Sequence, residues 1–164
     1  MVVMMDAITT GIFQVPTNNS EDKNNVINIL LENPSSTNLT AYLLIEHSKI
    51  INYGVNSPVS SFGPFKITVD AHSTQIRGLT AAFPGSLADV VYRVLFWGDI
   101  DLQEEEGKLS VQILAGTSST PTSPKLSFSD ASVLFRHENF VKTSIQKKEE
   151  SEALQCDPIT ILKD

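Results

Sequence analysis

Residues 26–46 read VINILLENPSSTNLTAYLLIE, and this stretch decides the fold. Two apolar runs flank a short polar turn. In Val26–Asn33, Ile27, Ile29 and Leu31 share one parity, while Val26, Asn28, Leu30 and Glu32 share the other. Strand side chains alternate between two faces, so the Ile27/Ile29/Leu31 stripe is expected to face a core. Pro34 fixes one backbone dihedral, and Ser35 and Ser36 supply hydroxyls that bond the backbone of a turn. After the turn, Leu39, Ala41, Leu43 and Ile45 form a second apolar stripe, with Tyr42, Leu44 and Glu46 on its back. Two strands that each present one greasy face must pack against another layer. The stretch holds no reactive constellation, so its expected role is to build a sheet.

The same period runs through most of the chain. ITTGIFQV (residues 8–15) reads as a first strand, with Gly11 at a bulge or close approach. Residues 16–25 are a loop by composition. KIINY (49–53) reads as a short edge strand and residues 54–64 as an irregular loop. FKITV and TQIRGLTA flank a polar turn at Asp70–Ser73. VVYRVLFW (90–97) is the most apolar run and the expected central strand, with Val90, Tyr92, Val94 and Phe96 inward. KLSVQILA places Leu109, Val111 and Ile113 in one register, and LSFSDASVLFRH is expected to close the sandwich. Eight or nine short strands between turn signals predict one all-β antiparallel β-sandwich. The expected organisation is an N-terminal arm or first strand over 1–15, a sandwich over 16–140 and a charged tail or short helix over 141–164.

Composition narrows the function classes. The chain has 164 residues, enough for a core without metal or disulfide staples. Its net charge of −7 opposes phosphate backbones, and Arg77, Arg93 and Arg136 are scattered, so no nucleic-acid partner is expected. The lone cysteine, Cys156, excludes a disulfide within the chain. MVVMMDAITTG carries no Lys or Arg and no long apolar run, so neither a secretory leader nor membrane insertion is expected, and synthesis is cytoplasmic. The Asn-X-Ser/Thr patterns at Asn18 and Asn38 matter only in a secreted chain.

The candidate chemistry is thin. No Gly-x-Ser-x-Gly elbow exists, and Ser86 with Asp89 has the spacing of a helix cap as well as of a catalytic pair. His47, His72 and His137 stand singly, without the close pairs that announce zinc. Asp99, Asp101 and Glu104, with Glu105 and Glu106 beside them, form a candidate calcium loop. A solvated acidic turn is the alternative, since Glu104 stands where an EF-hand loop needs glycine. Trp97 and Tyr53 are candidate sugar-stacking residues, with Tyr42 and Tyr92 behind them; packing within the sheet is the alternative. No cofactor is implied.

The order of a strand, NPSSTN, a second strand, ITVDAHSTQI and then YRVLFW resembles immunoglobulin-like and fibronectin-like bacterial domains over about 26–137. That resemblance implies an immunoglobulin-like or jelly-roll-like sandwich, although the Cys–Trp–Cys signature of true immunoglobulin domains is missing. The uncharged start, the TTGIFQV strand and the Ser/Thr/Asn-rich turns are similar to small spore- or surface-layer proteins of spore-forming bacteria. They imply an assembly subunit deposited on a spore or cell surface, partnered by itself or by other structural proteins. The expected function is therefore a non-catalytic structural protein, with a carbohydrate- or ligand-binding module as the alternative. Met1, Val2, Val3, Met4, Met5, Ile8 and Ile12 are the candidate assembly residues, because an apolar terminal strand can be donated to a neighbour's sheet.

Overall fold

The computed structural model describes residues 2–14, 26–49, 56–80, 90–102, 105–118 and 128–148. Nine strands follow in chain order: β1 (Val2–Gln14), β2 (Val26–Asn33), β3 (Leu39–Lys49), β4 (Ser60–Val69), β5 (Ser73–Thr80), β6 (Val90–Gly98), β7 (Ser110–Ser118), β8 (Phe128–Phe135) and β9 (Val141–Lys148). A 3-10 turn, His137–Asn139, joins the last two. One sheet has five strands in the order β4-β3-β6-β1-β9, and the other has four in the order β5-β2-β7-β8. All pairings between named strands are antiparallel. The expected all-β sandwich is what the chain forms.

The core lies between the sheets, where the alternating stripes meet. Ile27, Ile29 and Leu31 of β2 face Leu39, Ala41, Leu43 and Ile45 of β3, as their parity predicts. Tyr92, Val94 and Phe96 of β6, with Leu109, Val111, Ile113 and Ala115, complete the same cluster. Phe140 is 1% exposed and meets Phe96 edge-on, with ring centroids 5.9 Å apart. Burying each such side chain contributes about 1.5–3 kcal/mol against the entropy of ordering the chain.

β2 and β5 pair in one sheet while β3 and β4 pair in the other, so a two-stranded ribbon bends across from sheet to sheet. Asn33 holds that corner. Its side chain is 1% exposed, and Nδ2 donates to the carbonyls of Thr37 (2.8 Å), Val69 (3.0 Å) and Asp70 (3.0 Å). Oδ1 accepts from the backbone N–H and hydroxyl of Ser35. The His72 N–H donates to the Ser35 carbonyl, and the Ala71 N–H to Asn38 Oδ1. One buried amide thus satisfies carbonyls from both crossings of the ribbon.

Three expectations about the chain's ends and loops are corrected. Val141–Lys148 is not the start of a tail but β9, paired residue by residue with β1 from Val2↔Lys148 to Thr9↔Val141. Its alternation of Val141, Thr143 and Ile145 is a strand signal hidden by the lysines around it. Residues 149–164 lie outside the described residues. Of the two expectations for the N-terminal segment, the first strand holds and the arm does not: β1 (Val2–Gln14) lies between β6 and β9, and Ile8 is wholly buried. Of the candidate assembly residues, Met4 and Ile12 remain well exposed, and Met1 lies outside the described residues. Finally, Ser60–Pro64 belongs to β4 rather than to a loop. Gly63 and the cis Gly63–Pro64 bond sit in a bulge opposite Leu44 of β3. β3 itself runs on to Lys49, and Ile50–Tyr53 lie outside the described residues.

Burial against Phe13, whose ring centroid is 5.9 Å away, pushes the Tyr92 phenol well above its ordinary value. The unfolded chain releases this proton near the ordinary value of about 10, so stability is lost as pH rises past that point. In a Tyr42→Phe/Tyr53→Phe protein, tyrosinate absorbance is expected to appear only together with loss of the β-sheet circular dichroism. Ionisation ahead of unfolding would contradict this burial.

Candidate functional site

The outer face of the five-stranded sheet is the surface that departs from what a solvated sheet needs. Register places its side chains in rows. Tyr42 of β3, Trp97 of β6, Ala7 of β1 and Thr143 of β9 form one row. Leu44, Leu95, Thr9 and Val141 form the next. Met5 and Ile145 extend the first side, and Ile12 stands beside Arg93 on the other. An antiparallel sheet that faces water alternates apolar and polar residues. Here both parities of Tyr42–Ile45 and of Val94–Trp97 are apolar, so the strands are greasy on both faces.

The Tyr42 and Trp97 rings lie 5.6 Å apart and 12° from parallel, a cross-strand stack on this outer face. Leu95 is only 6% exposed although it faces outward, so its neighbours cover it. Ala7 is fully buried in the same layer. Val141 and Ile12 are 61% and 77% exposed at the margin. The polar border is the ion pair of Arg93 with Glu46, cross-strand partners, and Lys66 opposite Tyr42. Trp97 is therefore part of this surface, as the sequence suggested, and its closest partner is Tyr42. Tyr53 lies outside the described residues, as do Ser86, Asp89 and Cys156.

The acidic loop is used internally. The Asp99 Oδ2 accepts from the Thr40 N–H at 3.0 Å, and its Oδ1 lies 3.4 Å from Lys108 Nζ. The Asp101 Oδ1 accepts from the Glu105 N–H, and its Oδ2 lies 3.3 Å from His137 Nε2. The two carboxylates thus serve different donors instead of converging as calcium requires. Glu104 lies outside the described residues. Among the described residues no group of three His, Cys, Asp or Glu side chains is arranged to hold a metal ion. The loop also carries Ile100 into the core, where it bridges to Leu109.

The histidines are likewise separate. His137 Nδ1 accepts from the Val111 N–H at 3.1 Å. Nε2 is buried, and Asp101 stands at ion-pair distance without hydrogen-bond alignment. His137 thereby ties the 3-10 turn and the acidic loop to β7. His47 stacks on Phe62 with centroids 4.5 Å apart, and burial lowers its pKa. His72 takes a left-handed conformation, φ 52°, in the turn before β5.

The clefts are shallow. One of about 190 Å³ lies on the outer face of the four-stranded sheet, lined by Glu32, Thr74, Gln112, Arg136 and His137 among others. That is below the usual size of a small-molecule site. No helix among the described residues is long and apolar enough to cross a membrane. Compared with protein-family models, curated proteins and solved structures, the chain matches none.

The sequence pointed at Trp97 but missed Leu44, Leu95 and Val141 as its neighbours on one surface. The missed signal is the break in alternation: YLLI and VLFW are apolar at four consecutive positions. Which outward residues adjoin depends on strand order, which period alone does not give.

Proposed function

We propose that this chain is a non-catalytic structural subunit that self-associates and covers the outer face of its five-stranded sheet in doing so. The observation that carries the reading is the apolar cluster of Tyr42, Trp97 and Leu44 around a covered Leu95, with Val141 beyond Thr9, where a solvated sheet would be polar. Contiguous apolar surface rimmed by charge is the usual mark of a protein contact. Asp99, Asp101 and His137 are engaged in holding the fold together, which supports a non-catalytic role. A surface layer, a spore coat or another oligomeric complex is the setting this role fits. The finer immunoglobulin-like likeness rests on the pairing of β2 with β5 and of β3 with β6; β1 between β6 and β9 departs from it.

Light scattering of Tyr42→Ser/Trp97→Ser beside the parent chain tests the reading. The parent is expected to exceed one subunit's mass and the variant to lose its largest species while keeping β-sheet circular dichroism. An unchanged mass distribution in the folded variant would overturn the assignment of this face. A second reading is a carbohydrate contact, favoured by the flat Tyr42–Trp97 stack. It expects glycan binding that Trp97→Ala abolishes with no change in mass.

A further inference from the structure

We propose that β9 pairs with β9 of a second copy across a two-fold axis beside Ser144, joining the two five-stranded sheets into one. The inference deepens the self-association reading and rests on it.

The edges of the two sheets differ. β4 is blunted: Pro64 lacks a donor, Gly63 sits at φ 102° and the ladder is bulged. β8 pairs with β7 through two register shifts. β5 is regular, but Gly78 interrupts it, and the Gln75 amide reaches over to the Thr68 carbonyl of β4. β9 has none of these backbone devices and is guarded instead by Lys142, Lys147 and Lys148. Its eight residues pair with β1 without a bulge, and it contains neither Pro nor Gly. Among the described residues no strand pairs with its other edge, and Lys142, Ser144 and Gln146 are exposed. A long, regular, open edge is a template for another strand.

Register then selects the partner. On one strand, the residues whose N–H and C=O point to a given edge all share one parity. Two identical antiparallel strands therefore pair only residues of like parity. Centred on Ser144, the pairs are Val141 with Lys147, Lys142 with Gln146, Thr143 with Ile145, and Ser144 with itself. This register uses residues 141–147, and no lysine stands opposite a lysine. Moving the centre to Ile145 sets Lys142 against Lys148 on both sides of the axis, which destabilises the pair. Moving it to Thr143 leaves only residues 141–145 in register. The Ser144-centred dimer also sets the apolar outer faces of both copies side by side, around Val141, Thr143 and Ile145. A contact of this kind is isologous, and it leaves the joined outer faces open to the separate contact that covers Tyr42 and Trp97.

Cysteine cross-linking reads the register. In a Cys156→Ser background, Ser144→Cys places two thiols on directly opposed residues, with Cα atoms about 4.5–5.5 Å apart, within disulfide reach. Mild oxidation is expected to convert most of the protein to a covalent dimer. Lys142→Cys alone and Gln146→Cys alone fall four residues out of register, about 13 Å apart, and are expected to stay uncross-linked. Mixed together, those two proteins are expected to cross-link. If the chain is oligomeric but Ser144→Cys cross-links no better than Gln146→Cys, the β9 contact is overturned and self-association stands. If the parent chain is monomeric at every concentration, both fall.

Discussion

Replacing Asn33 with aspartate is expected to lower the unfolding free energy by about 4 kcal/mol at neutral pH. The wild-type amide donates to three carbonyls at the corner where the β2–β5 and β3–β4 pairs of the ribbon join. A carboxylate has the same shape and no hydrogen to give. It would face three carbonyl oxygens from a position 1% exposed, so its charge is both desolvated and repelled. The folded state would hold the introduced acid in its neutral form, above the unfolded value. The penalty is therefore largest at neutral pH and shrinks as pH falls toward the carboxylate range. Urea unfolding at two pH values measures it. Asn33→Ala removes the donors without adding charge and is expected to cost about 3 kcal/mol, independent of pH. Equal losses for the two variants at neutral pH would show that the three carbonyls do not act on this side chain.

Gly98→Ala is expected to cost about 3 kcal/mol. Gly98 ends β6 at φ 102°, a conformation that side chains disfavour. A Cβ built there would meet the Thr40 carbonyl oxygen at 2.7 Å and the Ala41 Cα at 3.3 Å, backbone atoms with nowhere to move. The turn matters beyond itself, because the next residue, Asp99, exchanges backbone and side-chain bonds with Thr40. Gly107→Ala provides the comparison: its φ is 76°, but nothing lies within 4 Å of the added carbon. It is expected to lose about 1–2 kcal/mol, from backbone conformation alone. A thermal melt of both proteins decides the matter, and similar losses would show that the close approach to Thr40 is not tight.

The sandwich was legible because its strands obey a period of two. Ile27/Ile29/Leu31, Leu39/Ala41/Leu43/Ile45 and Tyr92/Val94/Phe96 all point where their parity sends them. β9 was not legible, because Lys142, Lys147 and Lys148 make it read as a charged tail. Only its pairing with β1 organises it. β1 was legible as a first strand but its place was not: an apolar terminus also looks like an arm until the strands on both of its sides are known. Asn33 stood out only as the last residue of its strand, since the carbonyls it binds at Val69 and Asp70 lie far along the chain. Trp97 was picked out as an aromatic residue, but the surface around it is made by β1, β3, β6 and β9 together. Local sequence reports which face a residue occupies, and long-range pairing decides what stands beside it.

The most direct test of self-association is the solution mass of the purified chain by light scattering across a wide concentration range. The account predicts a mass of at least twice the 18.0 kDa subunit, falling toward one subunit only on dilution. A constant 18.0 kDa at all concentrations would contradict it and leave the outer face of the five-stranded sheet to another kind of partner.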